Sequence, residues 1–206
     1  MAGPKIFGIG LSKSGTNSLT EALSVLGYNA WHGGTHTWQN GDALEKAIVE
    51  RADRYAAGET SIDILKGCEN LDAMTDFPMP RVYRQLDQQI PDAKFILTYR
   101  NPLDASMSMM RMCYPSWKKG DRDKKSRSYQ HHVEYTMKHI DAVFEYFWNR
   151  EDQFIVIDAT KGKVNWKILC EFLGVDPSPY ANKPWPHKFN HAHWYAQKLH
   201  NRLNNS

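Results

Sequence analysis

The sequence predicts an α/β domain with a mostly parallel central sheet flanked by helices. Short apolar runs alternate with segments of helical periodicity, a pattern typical of parallel strands joined by crossover helices. A glycine-rich turn separates the first apolar run from the first helical segment. The 206 residues suffice for one compact domain and are few for two. We therefore expect a single domain over residues 1–206.

Four short apolar runs predict the strands of this sheet. Runs of this length, rich in β-branched and aromatic residues, are typical of strands that are buried on both faces. The predicted strands are Ile6–Gly10, Leu71–Thr75, Lys94–Tyr99 and Phe154–Ile157.

Segments with apolar residues at helical spacing predict the helices. Leu19, Leu23 and Leu26 share one face of the first helix, and Gly27 ends it. Pro102 opens another helix, at the first-turn position that proline tolerates. The predicted helices are Thr16–Leu26, Asp42–Ala57, Arg81–Ile90, a helix that begins at Pro102, a helix that carries Val133, Met137, Ile140, Phe144 and Phe147, and Asn165–Leu173.

Two segments lack a clear apolar pattern. Trp117–Ser128 is polar and strongly charged, so we expect a mobile loop between residues 113 and 128. The segment 175–206 is rich in Pro, Trp and His. We expect an irregular tail there, with a helical pattern only around His193–Leu203.

Composition and charge restrict the partners and the location. The chain has 26 Lys and Arg against 23 Asp and Glu, a net charge of +3, which suits a local anion pocket better than a nucleic-acid surface. No apolar run approaches the roughly 20 residues of a membrane span, and the first one is too short for a signal peptide. The chain has three cysteines, an odd number, and they are widely spaced: Cys68, Cys113 and Cys170. We therefore expect a reduced, cytoplasmic protein.

The glycine-rich turn leads from the first strand directly into the first helix. It reads GIGLSKSGTN over Gly8–Asn17, so free backbone N–H groups and the positive end of the helix dipole meet there. A nucleoside-triphosphate loop, GxxxxGK[ST], has lysine after its second glycine. Gly10 and Gly15 have that spacing, but Thr16 holds the lysine position and Lys13 lies three residues earlier. The turn predicts an anion site with a displaced lysine.

A second anion motif follows a buried strand. Within Phe95–Ser108 the strand delivers Arg100 to the carboxyl edge of the sheet, where open α/β sheets bind ligands. Ser108 follows eight residues later on a helix, whereas Ser106 does not fit this spacing. A fixed guanidinium beside a hydroxyl is suited to hold a phosphate group.

These two motifs resemble those of sulfotransferases that use 3'-phosphoadenosine-5'-phosphosulfate (PAPS). The K-S-G-T order at Lys13–Thr16 is similar to the 5'-phosphosulfate loop of that family. The R-x-P pattern at Arg100–Pro102, followed by Ser108, is similar to its 3'-phosphate motif. The chain is most similar to the short sulfotransferase-like proteins, through segments such as Leu26–His32, Ile90–Pro102 and Trp166–His187. The resemblance implies a P-loop-type three-layer fold, PAPS as donor, 3'-phosphoadenosine-5'-phosphate (PAP) as product, and no metal.

The resemblance also implies roles for single residues. Lys13 would lie near the oxygen that bridges phosphate and sulfate and would neutralise the charge that grows on the leaving phosphate. Arg100 and Ser108 would bind the 3'-phosphate. The loop would hold the 5'-phosphate through the backbone and hydroxyl groups of Ser14, Gly15, Thr16, Asn17 and Ser18.

Two residues are candidates for the general base. Cytosolic sulfotransferases of small molecules have a T-H-x-P segment with the catalytic histidine, and T-D-F-P at Thr75–Pro78 places Asp76 there. A carboxylate can take the acceptor's proton if burial keeps it basic or if the acceptor is acidic. The structural alternative for Asp76 is a helix N-cap or a salt bridge to Arg81 or Arg84. The rival base is His32, in an aromatic, glycine-rich stretch suited to line an acceptor pocket.

The pattern departs from the family at one point and leaves two alternative functions open. The late R-K-G-x-x-G loop is missing, so Lys183, Lys188 or the basic segment 118–127 would have to replace it. A P-loop kinase or nucleotide hydrolase would use Thr16 in place of lysine and Asp158 as a metal ligand. A non-catalytic sulfotransferase fold would bind PAP or a partner without turnover.

The histidines of the tail are the candidates for metal binding. Three histidines of the tail have a zinc-compatible spacing, with His36 elsewhere in the chain: His187, His191 and His193. They have no cysteine or acidic companion, so we favour a packing or surface role and expect no metal. We expect neither a nucleic acid nor a membrane as partner. The sequence leaves the hydroxyl or amine acceptor and the oligomeric state open.

Overall fold

Five parallel strands form the central sheet. The computed structural model describes residues 5–34, 43–113, 122–158, 160–162 and 164–187. The strands are β1 (Ile6–Gly8), β2 (Ala30–His32), β3 (Ala73–Thr75), β4 (Lys94–Tyr99) and β5 (Phe154–Asp158). They lie in the order β2-β3-β1-β4-β5, and each adjacent pair is parallel.

Six α-helices accompany the strands within the described residues. They are α1 (Thr16–Val25), α2 (Ala43–Ala56), α3 (Met79–Gln89), α4 (Pro102–Cys113), α5 (Arg122–Tyr146) and α6 (Val164–Leu173), and a short 3₁₀ helix follows at Ser178–Tyr180.

Alternate residues of the strands face two separate hydrophobic cores. Phe7 and Phe95 point to the core shared with α2, α3 and α5. Ile6 and Ile96 point to the core shared with α1 and α6. Because successive side chains of a strand lie on opposite faces, helices cover the sheet on both sides. The predicted three-layer α/β fold is confirmed.

The predicted elements agree closely with the observed ones, with one strand missed. β4 has the predicted bounds, Lys94–Tyr99, and the first helix ends one residue earlier than predicted, at Val25. The sequence pattern did not predict β2. Its three residues, Ala30–His32, are too few for an alternating pattern to stand out.

The predicted mobile loop is wrong over residues 122–128, which belong to α5. Charged residues are common in loops, but Arg and Lys also favour helices and suit a solvated helix face. Residues 114–121 lie outside the described residues. No helix in the described part of the chain combines the length and apolar character that a membrane span requires.

The tail is described as far as residue 187. Trp185 packs against Trp166 of α6, with ring centroids 5.1 Å apart, so this part of the tail covers the α1–α6 side of the sheet. The helix expected around His193–Leu203 lies outside the described residues.

A buried ion pair joins α3 to the turn after α5. The Arg150 guanidinium donates two hydrogen bonds to the Asp87 carboxylate, 2.9 Å from Nη1 to Oδ2 and 2.6 Å from Nη2 to Oδ1. The Tyr146 hydroxyl donates a third bond to Oδ2, at 2.8 Å. Burial, and then the hydrogen bond to Asp87, raise the pKa of Tyr146 to about 12. The cluster fixes the end of α5 against α3.

Candidate active site

The glycine loop lies at the point of the sheet where the strand order reverses. β1 is paired with β3 on one side and β4 on the other, so the loop after β1 opens into the crevice between their carboxyl ends. Gly10 packs directly on β4. A Cβ atom there would lie 1.9 Å from Thr98 Oγ1 and 2.7 Å from the Thr98 carbonyl oxygen, so only glycine fits.

Two left-handed backbone residues shape the loop. Lys13 has φ 75° and Gly15 has φ 110°. Between them the Ser14 hydroxyl donates to the Leu11 carbonyl oxygen at 2.6 Å and lies 2.7 Å from Thr98 Oγ1. The Ser14 hydroxyl therefore holds the loop on β4. We had expected it to hold the 5'-phosphate, but its hydrogen bonds are made within the protein.

The loop ends at the N-terminus of α1, where backbone N–H groups are available. The first helical bond runs from Leu19 N to the Gly15 carbonyl oxygen, at 3.1 Å. The N–H groups of Thr16, Asn17 and Ser18 precede it in the first turn, so they have no partner within α1 and, together with the helix dipole, are suited to bind an anion.

Arg100 lies next to this loop, as the second motif predicted. It follows the last residue of β4, and its Nη1 donates to the Lys13 carbonyl oxygen over 3.4 Å, a long hydrogen bond. The Arg100 guanidinium therefore lies beside the glycine loop that precedes α1.

The Lys13 side chain extends along α4. Its Nζ lies 3.6 Å from Met112 Sδ. Ser108 is one helical turn before Met112, so the two residues share a face of α4. Ser108 is only 4% exposed and Ser106 is buried too. Ser106 contacts His132 Nδ1 of α5 at 2.9 Å instead.

Asp76 lies at the end of β3 and binds the glycine loop. Its Oδ1 accepts hydrogen bonds from Ser12 Oγ at 2.7 Å and from the Phe77 backbone N–H at 2.8 Å. Its Oδ2 accepts a bond from Thr16 Oγ1 at 2.7 Å. The carboxylate is 4% exposed. The Thr16 hydroxyl, like that of Ser14, is thus used inside the protein.

The structural alternatives for Asp76 that the sequence suggested are wrong. Arg81 pairs with Asp53 at 3.0 Å, and Arg84 donates to the Tyr83 hydroxyl at 3.1 Å. The N-cap of α3 is Pro78, which makes no side-chain capping bond. The Asp76 side chain therefore binds the glycine loop, while its backbone carbonyl oxygen accepts from the Met79 N–H of α3 at 2.9 Å.

His32, the second candidate base, belongs to the same cluster. Its Nε2 is 3.2 Å from Thr16 Oγ1 and 3.4 Å from Asp76 Oδ2. Gly33 allows this approach, because a Cβ atom there would lie 1.7 Å from the Phe77 carbonyl oxygen. The structure brings both candidate bases to the N-terminus of α1.

Sequence reasoning missed three side chains that hold the site together: Ser12, Thr98 and His139. His139 of α5 donates from Nε2 to the Ile9 carbonyl oxygen at 2.8 Å, just before the loop. Burial lowers the pKa of His139. No local pattern marks this contact, because 130 residues separate its partners.

The structure also shows the contacts of several residues whose sequence pattern was only a weak functional signal. Asp158 Oδ1 accepts hydrogen bonds from the backbone N–H and hydroxyl of Thr160, as a strand-end turn residue does. Lys183 lies over the Tyr180 ring, 5.4 Å from its centroid. His36, Lys188, His191 and His193 lie outside the described residues. Within the described ranges, no group of three His, Cys, Asp or Glu side chains is arranged to hold a metal.

Comparisons with known proteins agree with this architecture. The family model described as "Sulfotransferase domain" matches residues 5–122 and 102–194. The chain also matches the crystal structure of a sulfotransferase from Alicyclobacillus acidocaldarius, with a TM-score of 0.52, 16% identity, and coverage of 92% of this chain and 87% of that chain. A search of curated proteins gives no match.

The fold and the glycine loop define an α/β protein of the sulfotransferase type. The family model covers most of the chain, so this protein belongs to the sulfotransferase family. The general reaction that goes with this membership is transfer of a sulfuryl group.

Proposed function

We propose that the protein transfers a sulfuryl group from PAPS to a hydroxyl or amine acceptor. The observation that carries the proposal is the contact of Arg100 with the glycine loop that precedes α1, where Arg100 Nη1 lies 3.4 Å from the Lys13 carbonyl oxygen. The Arg100 and Lys13 side chains and the N-terminal N–H groups of α1 would supply the positive groups that the two anionic ends of PAPS require.

The groups of the site fit the donor. The backbone N–H groups of Thr16, Asn17 and Ser18 would bind the 5'-phosphate, with Lys13 at its junction to the sulfate. Arg100 and Ser108 would bind the 3'-phosphate. The hydroxyls of Ser14 and Thr16 hold protein atoms, so the backbone of the loop carries most of the recognition.

The reaction is an in-line displacement. Attack of the acceptor's oxygen or nitrogen on sulfur breaks the bond between sulfur and the bridging oxygen, whose electron pair stays on the phosphate. Lys13 and the α1 dipole neutralise that charge. The acceptor's proton passes to the cluster of Asp76 and His32. Rate acceleration comes from positioning and electrostatics, without a covalent enzyme intermediate.

The donor chemistry makes a metal ion unnecessary in this proposal. A sulfuryl group carries one negative charge where a terminal phosphoryl group carries two, so two cationic side chains and a helix N-terminus suffice. The kinase alternative would use Thr16 in place of the phosphate-binding lysine. The Thr16 hydroxyl instead donates to Asp76, so this contact does not support that alternative. Asp158 is engaged by Thr160.

Acceptor, partners and location remain part of the proposal. We expect a small-molecule or other acceptor whose identity stays open, no nucleic-acid or membrane partner, and a cytoplasmic protein. Cys68 and Cys170 support a reducing location, because both are buried free thiols, and burial raises the pKa of each.

The direct test is transfer of label from radiolabelled PAPS to a panel of phenols, alcohols and amines, without magnesium. We expect transfer to at least one class, and Lys13→Met should lower the rate by about 100-fold or more while leaving the fold intact. PAP binding without transfer to any acceptor would favour the non-catalytic alternative. Magnesium-dependent turnover of ATP would contradict the proposal.

A further inference from the structure

We infer that Asp76 is a positioning residue that clamps the glycine loop, and that it does not take the acceptor's proton. This inference rests on the proposed function and assigns the role of Asp76 within its candidate base pair.

The hydrogen bonds of Asp76 occupy the carboxylate. Oδ1 accepts from Ser12 Oγ and the Phe77 backbone N–H, and Oδ2 accepts from Thr16 Oγ1, all within 2.8 Å. A general base must turn a lone pair toward the proton that it removes. With three short bonds and 4% exposure, Asp76 instead directs its lone pairs at protein donors.

These bonds hold the middle of the glycine loop and the start of the helix that follows it. Ser12 lies in the middle of the glycine loop, and Thr16 is the first residue of α1. One carboxylate therefore fixes the turn and the helix start relative to β3. The Asp76 backbone N–H donates to the Gly8 carbonyl oxygen at 3.2 Å, which ties the same residue to β1. The anion-binding N–H groups that follow Gly15 depend on this geometry.

Thr16 connects the clamp to His32. Its hydroxyl has one proton, which it donates to Asp76 Oδ2 at 2.7 Å. The contact with His32 Nε2, at 3.2 Å, is therefore one in which Thr16 accepts from the imidazole N–H. Asp76 thus orients His32 through Thr16.

A double-mutant cycle on PAP affinity tests the clamp, measured by calorimetry on the full chain. Ser12→Ala should weaken PAP binding about fivefold and Asp76→Ala about tenfold or more, because each frees the loop. The double variant should bind PAP no more weakly than Asp76→Ala alone, because each change removes the same Ser12–Asp76 hydrogen bond. Ser24→Ala, an exposed serine on α1, is the control with unchanged affinity. Wild-type affinity in Asp76→Ala, or losses that multiply, would overturn the inference.

The kinetics of PAPS turnover distinguish a positioning role of Asp76 from a role as general base. Asn tolerates the left-handed backbone of Asp76 (φ 64°) and keeps an acceptor oxygen. Asp76→Asn should therefore raise the KM for PAPS and keep kcat within about tenfold, with water or a panel acceptor receiving the sulfuryl group. A kcat loss of about 100-fold or more at unchanged KM is the result of a lost base and would contradict the inference.

A ligand-free readout distinguishes failure of the clamp from failure of the proposed function. Hydrogen exchange of the amides of residues 10–18 should be faster in Asp76→Ala than in Ser24→Ala, with or without PAP. Unchanged exchange would overturn the clamp even if PAP binds. Faster exchange in Asp76→Ala, together with no PAP binding by the wild type, would support the clamp and reject PAPS as the donor.

Discussion

Two buried aspartates, Asp76 and Asp87, differ in their partners. Asp87 is 8% exposed and receives a forked pair of bonds from the Arg150 guanidinium, so its charge is neutralised in place. Asp76 is 4% exposed and receives its short bonds from two hydroxyls and a backbone N–H, with His32 Nε2 3.4 Å away. Both carboxylates have their hydrogen bonds satisfied, but only Asp87 has an arginine partner.

Burial of a carboxylate serves the fold in one place and the candidate site in the other. The ion pair that joins α3 to the end of α5 stabilises the packing of these helices. The Asp76 carboxylate is bound by two hydroxyls and a backbone N–H and holds the glycine loop. Neutral hydrogen-bond donors therefore shape the loop, whereas a charge pair fixes the helices.

The largest effect should come from breaking the Asp87 pair. Asp87→Ala leaves the Arg150 guanidinium without its carboxylate, which should lower the free energy of unfolding by about 3 kcal/mol, the low end for a buried pair because Arg150 keeps 30% exposure. Chemical denaturation measures this loss. The exposed Asp53→Ala is the control and should change stability by under about 1 kcal/mol. PAP affinity should not change, and a parallel loss of PAP binding would break the comparison.

Tyr146 offers a smaller change in the same cluster. Tyr146→Phe removes one hydrogen bond to Asp87 and should cost about 1 kcal/mol near neutral pH. The folded pKa of about 12 lies above the ordinary value of 10.0, so the hydroxyl stabilises the fold below pH 10 and loses that contribution as the pH rises toward 12. Denaturation at several pH values should therefore show the stability advantage of wild type over Tyr146→Phe shrinking as the pH rises from 10 toward 12. A constant difference would contradict this assignment.

His139 extends the comparison to a histidine beside the loop. Burial lowers its pKa below the ordinary value of 6.5, so the unfolded chain takes up a proton first and stability is lost as the pH falls below that value. His139→Gln can still donate to the Ile9 carbonyl oxygen but does not titrate. The loss of unfolding free energy between pH 7 and 5 should therefore be smaller in His139→Gln than in His187→Gln, a control at an exposed histidine. Equal slopes would show that His139 does not contribute.

The sequence was sufficient for features that neighbouring residues determine. The β4 run and the glycine turn are local patterns, and they led to Lys13 and Arg100. The Ser12–Asp76 and His139–Ile9 bonds join residues 64 and 130 positions apart, and no spacing rule indicates such pairs. The start of α5 was missed because charged residues suit a solvated helix as well as a loop. Asp76 was found from the family motif, but its partners required the fold.

The central claim is that the glycine loop and Arg100 form a site for the donor nucleotide. Calorimetric titration with PAP, without magnesium, tests it on wild type and Arg100→Ala, with the exposed Arg81→Ala as a control of equal charge change. We expect tight binding to wild type and Arg81→Ala, a loss of about 100-fold in Arg100→Ala, and much weaker binding of ATP. Equal affinity in wild type and Arg100→Ala, or ATP binding that needs magnesium, would contradict the account.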